Sequence, residues 1–421
     1  MNAPTPLEQF VRTAVQSRQV TIGLPASRCE SERRFPLTPE AAAMLVERGF
    51  RVVMESHAAD AIHYTDSAYT RRGIEIVKRA EALKADIVIY LPALLPDDAA
   101  RLKRGALLMG FFRSDNMDSR TVDALLDKAV TTISLDRITD NGGNHPFADI
   151  LHEIDGRAAI AIASSLLADS VHGKGILLGG VAGIVPCEVV ILGAGLAATA
   201  SAKAAFGQGA TVRLFDNDIY ALRETAMAIG QGVISSAFHP NVLLSALRSA
   251  DVVIACPSRT SFQIDSDLVD EMKRGVITFD LDASVAHFPS MPAVDLAVAS
   301  PCDNDMSGRA RVCYINAGSA VPRTAAMALS NTLLTMFDDL VACDTAANAL
   351  KIIPGLRCAA MTFLGKPVDA DIARIAGKRQ VDINLLLQFS QGLFQTLKCS
   401  FSPLPPGCKA HNILQHRDFP L

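Results

Sequence analysis

The chain has 421 residues, 49% of them hydrophobic, and a formal net charge of −4. That length exceeds one ordinary core and predicts two domains, and the mild acidity supplies no basic field for nucleic acid. Tryptophan is absent, which argues against base-stacking platforms, and no apolar run reaches the ~20 residues of a membrane span.

Residues 1–18 read as a polar, helix-prone lead-in, with neither the basic nor the apolar stretch of a signal peptide. Gln19–Pro25 reads as a first strand. Thr38 followed by Pro39 is an N-cap and a first-turn proline, and predicts a helix that ends at Gly49. Strands are expected at Phe50–Glu55, Ala85–Tyr90, Ala106–Phe112 and Val130–Leu135. A long helix is expected over Pro146–Ala168, followed by a glycine-rich connection from Gly173 to Gly183. Further strands are expected at Asp251–Cys256, Gly275–Asp282 and Ala310–Asn316, the last closing its domain. An apolar helix from Thr324 should return the chain to the first domain. The proline-containing tail after residue 400 reads as loose or clamping. Strands alternating with helices predict an α/β fold with parallel sheets covered on both faces.

Between these elements, Val189–Leu192 is an apolar strand, Gly193 and Gly195 form a tight turn, and Leu196 opens a small-residue helix. A second strand, Val212–Phe215, ends in Asp216. This is the fingerprint of a dinucleotide-binding βαβ unit. Gly193 allows the turn, and Gly195 lets a pyrophosphate approach the helix N-terminus, where unpaired N–H groups and the dipole favour an anion. Ala198 stands at the third small position. Asp216 is placed to accept hydrogen bonds from the ribose hydroxyls of NAD and to disfavour the 2′-phosphate of NADP. The bland alternative is a structural glycine turn in an unliganded domain.

The residues also resemble a known family. Ser31–Pro39, Gly173–Pro186, Val189–Arg223 and Ile315–Asn331 are similar to signature segments of the alanine dehydrogenase and transhydrogenase N-terminal family. The segment from Asp382 is similar to a longer branch of alanine dehydrogenases. The resemblance implies two Rossmann-like domains with a cleft between them. Residues 1–147 and 323–421 would form the substrate domain, and 148–322 the NAD-binding domain. It implies hydride transfer between a nicotinamide and the α-carbon of an amino acid, with oligomers assembled through the cofactor domain. An arginine that holds the substrate carboxylate in the family aligns with Arg34, whose alternative is a surface charge. Leu196, Pro257, Ser258 and Asn316 fall with Gly193, Gly195 and Asp216 at the cofactor positions.

Three positions depart from the pattern. Pro92 or a neighbour stands where the family has a lysine. Arg113 stands where it has a histidine, and Ser284, with Asp282 two residues earlier, where it has an aspartate. Oxidising an amine to an imine and hydrolysing it needs a base. Arginine is a poor one, and serine needs activation. His152 and Asp155, which replace a small polar residue and an alanine of the family, are three apart and share a helix face. That makes His152, held by Asp155, a candidate relocated acid–base group, with Arg113 and Asp282 as the other catalytic candidates. The alternative for His152 is a hydrogen-bonded helix histidine near the hinge. Arg113 in the cleft would suit a second anionic group on the substrate, as in a dicarboxylic amino acid or an opine-like adduct; its alternative is an ion-paired arginine.

No metal-spaced cluster is apparent. The nine cysteines are scattered without a C-x-x-C pair, as in a reduced cytoplasmic protein, and Cys256 and Cys313 read as packing thiols. Three functions stay open: an NAD(H)-dependent oxidoreductase of the alanine dehydrogenase type on an amino or imino acid with a rewritten active site, its partner a small amino or oxo acid; an opine-type or redox-neutral enzyme using NAD; and a non-catalytic NAD-binding paralogue. The expected state is a homo-oligomer away from membranes and nucleic acid.

Overall fold

A computed structural model describes residues 19–393, apart from 114–116, 231, 283, 302–310 and 342–345. The lead-in before residue 19 and the tail after residue 400 lie outside the described residues.

Two sheets organise the chain. The first contains β1 (Thr21–Leu24), β2 (Arg51–Glu55), β3 (Glu75–Val77), β4 (Ile87–Ile89), β5 (Leu107–Gly110) and β6 (Thr131–Ser134). The second contains β7 (Glu188–Leu192), β8 (Thr211–Phe215), β9 (Ile234–Ser236), β10 (Val252–Ala255), β11 (Ile277–Asp280), β12 (Ala293–Asp295) and β13 (Cys313–Ile315). The chain then re-enters the first sheet as β14 (Ala360–Phe363) and β15 (Lys366–Pro367). The orders are β15-β14-β6-β5-β4-β1-β2-β3 and β12-β13-β11-β10-β7-β8-β9.

The second sheet is parallel throughout. The first corrects the expectation of parallel strands at one edge. There β14 runs antiparallel to β6, and β15 antiparallel to β14. The turn between β14 and β15 is Leu364 and Gly365, with φ of 49° and 74°. Positive φ at both central residues matches the right-handed twist of the flanking strands.

In the second sheet the order reverses beside β7: β8 lies on one side and β10 on the other. The crevice at the carboxyl ends of β7 and β10 is therefore the topological switch point, where open α/β sheets bind ligands.

Two helices connect the sheets. The helix Pro146–Ala168 has the bounds its sequence suggested. Its first half, through Leu151 and Ile154, packs into the core of the first sheet. Its second half, through Ala158, Ala159 and Ala163, packs into the core of the second. Between them Gly156 meets the helix Leu196–Gly207 so closely that a Cβ would stand 2.4 Å from the Ala197 carbonyl oxygen. Glycine is required there because backbone fills the space of a side chain. The return helix, Pro322–Val341, buries Ala325, Leu329, Leu333 and Phe337 in the first core.

Candidate active site in the cleft between the sheets

The glycine turn forms as its residue types dictate. Gly193 and Gly195 adopt φ of 94° and 145°, and a Cβ on Gly193 would lie 2.4 Å from the Cys256 carbonyl oxygen. Gly195 is the N-cap of the helix Leu196–Gly207 and supplies no side-chain cap. Its first-turn N–H groups therefore lack the usual capping oxygen, a donor set that fits an anionic pyrophosphate. Leu196 is half exposed beside the turn.

Asp216 ends β8 as expected, but its carboxylate is fully buried and already engaged. Oδ2 accepts from the Ala194 N–H at 2.6 Å and the Ser258 hydroxyl at 2.8 Å. Oδ1 accepts from the Asp218 N–H at 2.7 Å and the Thr260 hydroxyl at 2.9 Å. In this form Asp216 ties the glycine turn to the loop after β10. Ser258 lies beside it as that tie, and Pro257 is the residue before.

A cavity of about 660 Å³ opens between the two sheets. The carboxyl ends of β11 and β13 line one side with Asp280, Asp282 and Asn316. Arg34 and Arg113 line the other, and Asp155 reaches it from the connecting helix. Asn316 holds φ 59° and ψ 41°, a left-handed conformation that asparagine tolerates better than most residues. Ser284 also lines the cavity, and its N–H and hydroxyl both donate to Asp282 Oδ1.

Arg34 is held by a residue that sequence reasoning missed. Its Nε donates to Glu32 Oε1 at 2.8 Å and its Nη2 to Oε2 at 2.5 Å. The guanidinium also stands 5.4 Å from the Phe111 ring centroid. Burial works against the charge, but Glu32, and after it Asp155, outweigh burial and raise the pKa above arginine's usual value. The Glu32 fork occupies the Nε/Nη2 edge and leaves the Nη1 side uncommitted to Glu32.

His152 and Asp155 share the helix but not the roles expected of them. Among the described residues the cavity lining takes Asp155 and not His152. No hydrogen bond or ion pair joins the two; His152 acts on Asp155 only through charge. Asp155 Oδ1 instead accepts from the Gly318 N–H at 2.8 Å. Burial raises the Asp155 pKa, opposed by Arg34, the Gly318 N–H and His152. The hydrogen bond that holds Asp155 thus comes from backbone, and His152 faces it through charge.

A buried pair, of which Asp280 lines the cavity, also escaped the sequence reading. His287 Nδ1 lies 2.9 Å from Asp280 Oδ1, and the His287 N–H donates to Oδ2 at 2.8 Å. The imidazole stacks on Phe262 with centroids 4.2 Å apart. Asp280 ends β11 and His287 lies seven residues on in the segment that follows, a spacing with no periodic signature. Cys256 and Cys313 are buried, and burial pushes both thiols well above their usual pKa, as suits packing groups. Among the described residues no cluster of histidine, cysteine or acidic side chains could hold a metal ion. No helix among them is long and apolar enough to cross a membrane.

Comparison with known proteins agrees with this geometry. A family model described as "Alanine dehydrogenase/PNT, N-terminal domain" matches residues 23–150, and "Alanine dehydrogenase/PNT, C-terminal domain" matches 159–368. An alanine dehydrogenase of Bacillus subtilis (strain 168) is 27% identical over 373 residues, covering 87% of this chain and 97% of that protein. An alanine dehydrogenase of Mycolicibacterium smegmatis is 28% identical over 322 residues, covering 74% of this chain and 85% of that protein. A solved L-alanine dehydrogenase superposes with a TM-score of 0.71 at 24% identity, over 85% of this chain and 99% of that one. A transhydrogenase from Sinorhizobium meliloti does so at 0.64 and 16%, over 83% and 99%. At those identities the structures speak for the fold alone. The family models speak for descent, and the chain belongs to the alanine dehydrogenase/PNT family.

Proposed function

We propose that the protein is an NAD(H)-dependent oxidoreductase that acts on an amino or imino acid in the cavity between its sheets, with a substrate pocket rewritten from that of alanine dehydrogenase. One observation carries the reading. A single cavity brings Arg34 and Arg113 opposite Asn316 and the carboxyl ends of β11 and β13, on the sheet that also carries the glycine turn, whose helix N-terminus lacks a side-chain cap.

The residues fit the dinucleotide in part without rearrangement. Gly193, Gly195 and Leu196 would hold the pyrophosphate on first-turn N–H groups. Asp216 would take the ribose hydroxyls in exchange for those of Ser258 and Thr260, with Pro257 alongside. Asn316 would border the nicotinamide. NAD supplies the hydride acceptor, and the protein supplies position and proton transfer. Arg34 would receive the substrate carboxylate on its Nη1 side, with Glu32 fixing the guanidinium in orientation. Arg113 would meet a second anionic group, which favours a dicarboxylic or opine-like substrate over alanine. The acid–base assignment to His152 receives no support from the cavity lining.

The same reading divides the chain into 1–147 with 323–421 and 148–322, supported by the make-up of the two sheets. It places the protein in the cytoplasm, consistent with free Cys29, Cys187, Cys256, Cys313 and Cys358. It also makes the protein a homo-oligomer. The arm after the connecting helix supports this, since it exposes Leu177, Ile184 and Val185, and contiguous exposed apolar residues mark contact surfaces.

The test is NADH oxidation, followed by absorbance, with ammonium and a panel of 2-oxo acids. Turnover with pyruvate would retain alanine chemistry. Turnover confined to 2-oxoglutarate or larger diacids, and lost in Arg113→Gln, would establish the rewritten pocket. NADH binding without any turnover would overturn the oxidoreductase reading in favour of a cofactor-binding paralogue.

A further inference from the structure

We infer that Asp155 is the proton carrier of this active site, a catalytic residue that stands in for the lysine and histidine in whose places the family resemblance puts Pro92 or a neighbour and Arg113. The inference rests on the oxidoreductase reading and adds the group that moves the proton.

Four features of the geometry point to it. Asp155 lines the cavity together with Arg34, Arg113 and Asn316. Its Oδ1 is anchored by the Gly318 N–H at 2.8 Å, and among the described residues that is the carboxyl's sole hydrogen bond. Oδ2 is therefore available to a substrate or a water. A Cβ at position 318 would lie 2.2 Å from Oδ1, so glycine there makes room for the carboxyl. Of the other acids that line the cavity, Asp280 and Asp282 are more heavily engaged, and Asp295 is tied to its own turn by the Ala297 N–H. Asp280 accepts from His287 at both oxygens and from the Asp282 N–H, and Asp282 accepts two hydrogen bonds from Ser284.

The electrostatic setting is mixed. Arg34 and Glu32 face Asp155 from the loop before the first helix, and His152 acts from its own helix. Arg113 and Asp280 share the cavity, and the Cys256 thiol feels its charge. Burial dominates and raises the pKa. A carboxyl so shifted is a better match for proton transfer near neutrality than an ordinary one.

After hydride has left the α-carbon, the Asp155 carboxylate takes a proton from water as the C–O bond forms and the C=N pair moves to nitrogen. It passes that proton to the nitrogen. It then takes the hydroxyl proton as the C–N bond breaks with its pair on nitrogen, and returns it to the departing ammonia. Hydride loss from the neutral amine leaves an iminium, so iminium and water become oxo acid and ammonium, and Asp155 ends as it began. The reverse sequence serves reductive amination.

The alternative is that Asp155 merely caps the turn Ala317–Ala320. Asp155→Asn separates the two, because an amide oxygen still accepts from Gly318 but cannot carry a proton. We expect Asp155→Asn to bind NADH within about threefold of wild type, to lose about 10²–10⁴-fold in kcat, and to lose one limb of its pH profile. Asp155→Glu should restore part of that limb. His152→Gln should keep it. The assay is NADH oxidation with ammonium and the 2-oxo acid that the wild-type protein turns over best. An Asp155→Asn protein with unchanged kcat and pH profile overturns the inference alone, as does loss of the limb in His152→Gln but not in Asp155→Asn. A wild-type protein that binds NADH and turns over nothing overturns the oxidoreductase reading and this inference with it.

Discussion

Asp155 and Gly318 meet where the connecting helix faces the end of β13: Oδ1 accepts the amide N–H at 2.8 Å, and a Cβ at 318 would sit 2.2 Å from that oxygen. The contact joins one crossing segment to the sheet that carries the glycine turn. Gly318→Ala must push the carboxyl aside. It should cost about 1–3 kcal/mol in urea denaturation and lower turnover while leaving NADH affinity near wild type. A variant as stable and active as wild type would show that the contact relaxes freely.

Burial raises the Asp155 pKa, which sets a sign for stability. The folded state then binds the proton more tightly than the unfolded state, so the contribution is present at low pH and is lost as pH rises through the folded pKa. Asp155→Asn removes the titration. Its melting temperature should match wild type near about pH 4 and exceed it increasingly towards neutrality. A difference constant over that range would show that the carboxyl is not destabilised by burial.

Asp216 offers a second measurement. Its four hydrogen bonds close the ribose position in this form. The paired change Ser258→Ala and Thr260→Val should cost about 1 kcal/mol per lost bond and tighten NADH binding in a fluorescence titration, because two competing hydroxyls are gone. Weaker binding would mean that those hydroxyls touch the cofactor directly. Asp216→Ala strands four donors and should destabilise the fold by about 3 kcal/mol or more.

Arg34→Lys tests the carboxylate assignment. Lysine cannot hold Glu32 and a substrate carboxylate with one planar fork. KM for the oxo acid should rise about 10–100-fold with a smaller change in kcat. An unchanged KM would leave Arg34 as a partner of Glu32 only.

The apolar arm tests assembly. Val185 is 87% exposed and Ile184 66%. Val185→Asp should lower the mass measured by light scattering if this arm is a contact between copies, and should leave it unchanged if it is not.

How much of this was legible in the sequence depends on how far apart the cooperating residues lie. Gly193, Gly195 and Asp216 declared themselves because a glycine turn, a helix start and a strand end are local. So did the helix Pro146–Ala168, whose proline marks its first turn. The hairpin of β14 and β15 was missed because its turn is Leu364 and Gly365 rather than an Asn-Gly or Asp-Gly pair.

Helical periodicity put His152 and Asp155 on one side of a helix, and that is all it determines. Which of them reaches the cavity depends on how the helix seats, and Gly156 against Ala197 sets that seating. The acid at the end of β8 was visible by itself. Its engagement by Ser258 and Thr260 was not, because those hydroxyls come from the loop after β10, two strands away across the sheet. The sequence by itself determined the α/β elements and the dinucleotide turn, since hydrogen bonding and side-chain periodicity act over a few residues. Only the tertiary structure decided which charges share the cavity, because Arg34, Asp155 and Asn316 lie more than a hundred residues apart in the chain and meet only when both sheets have packed on the helix between them.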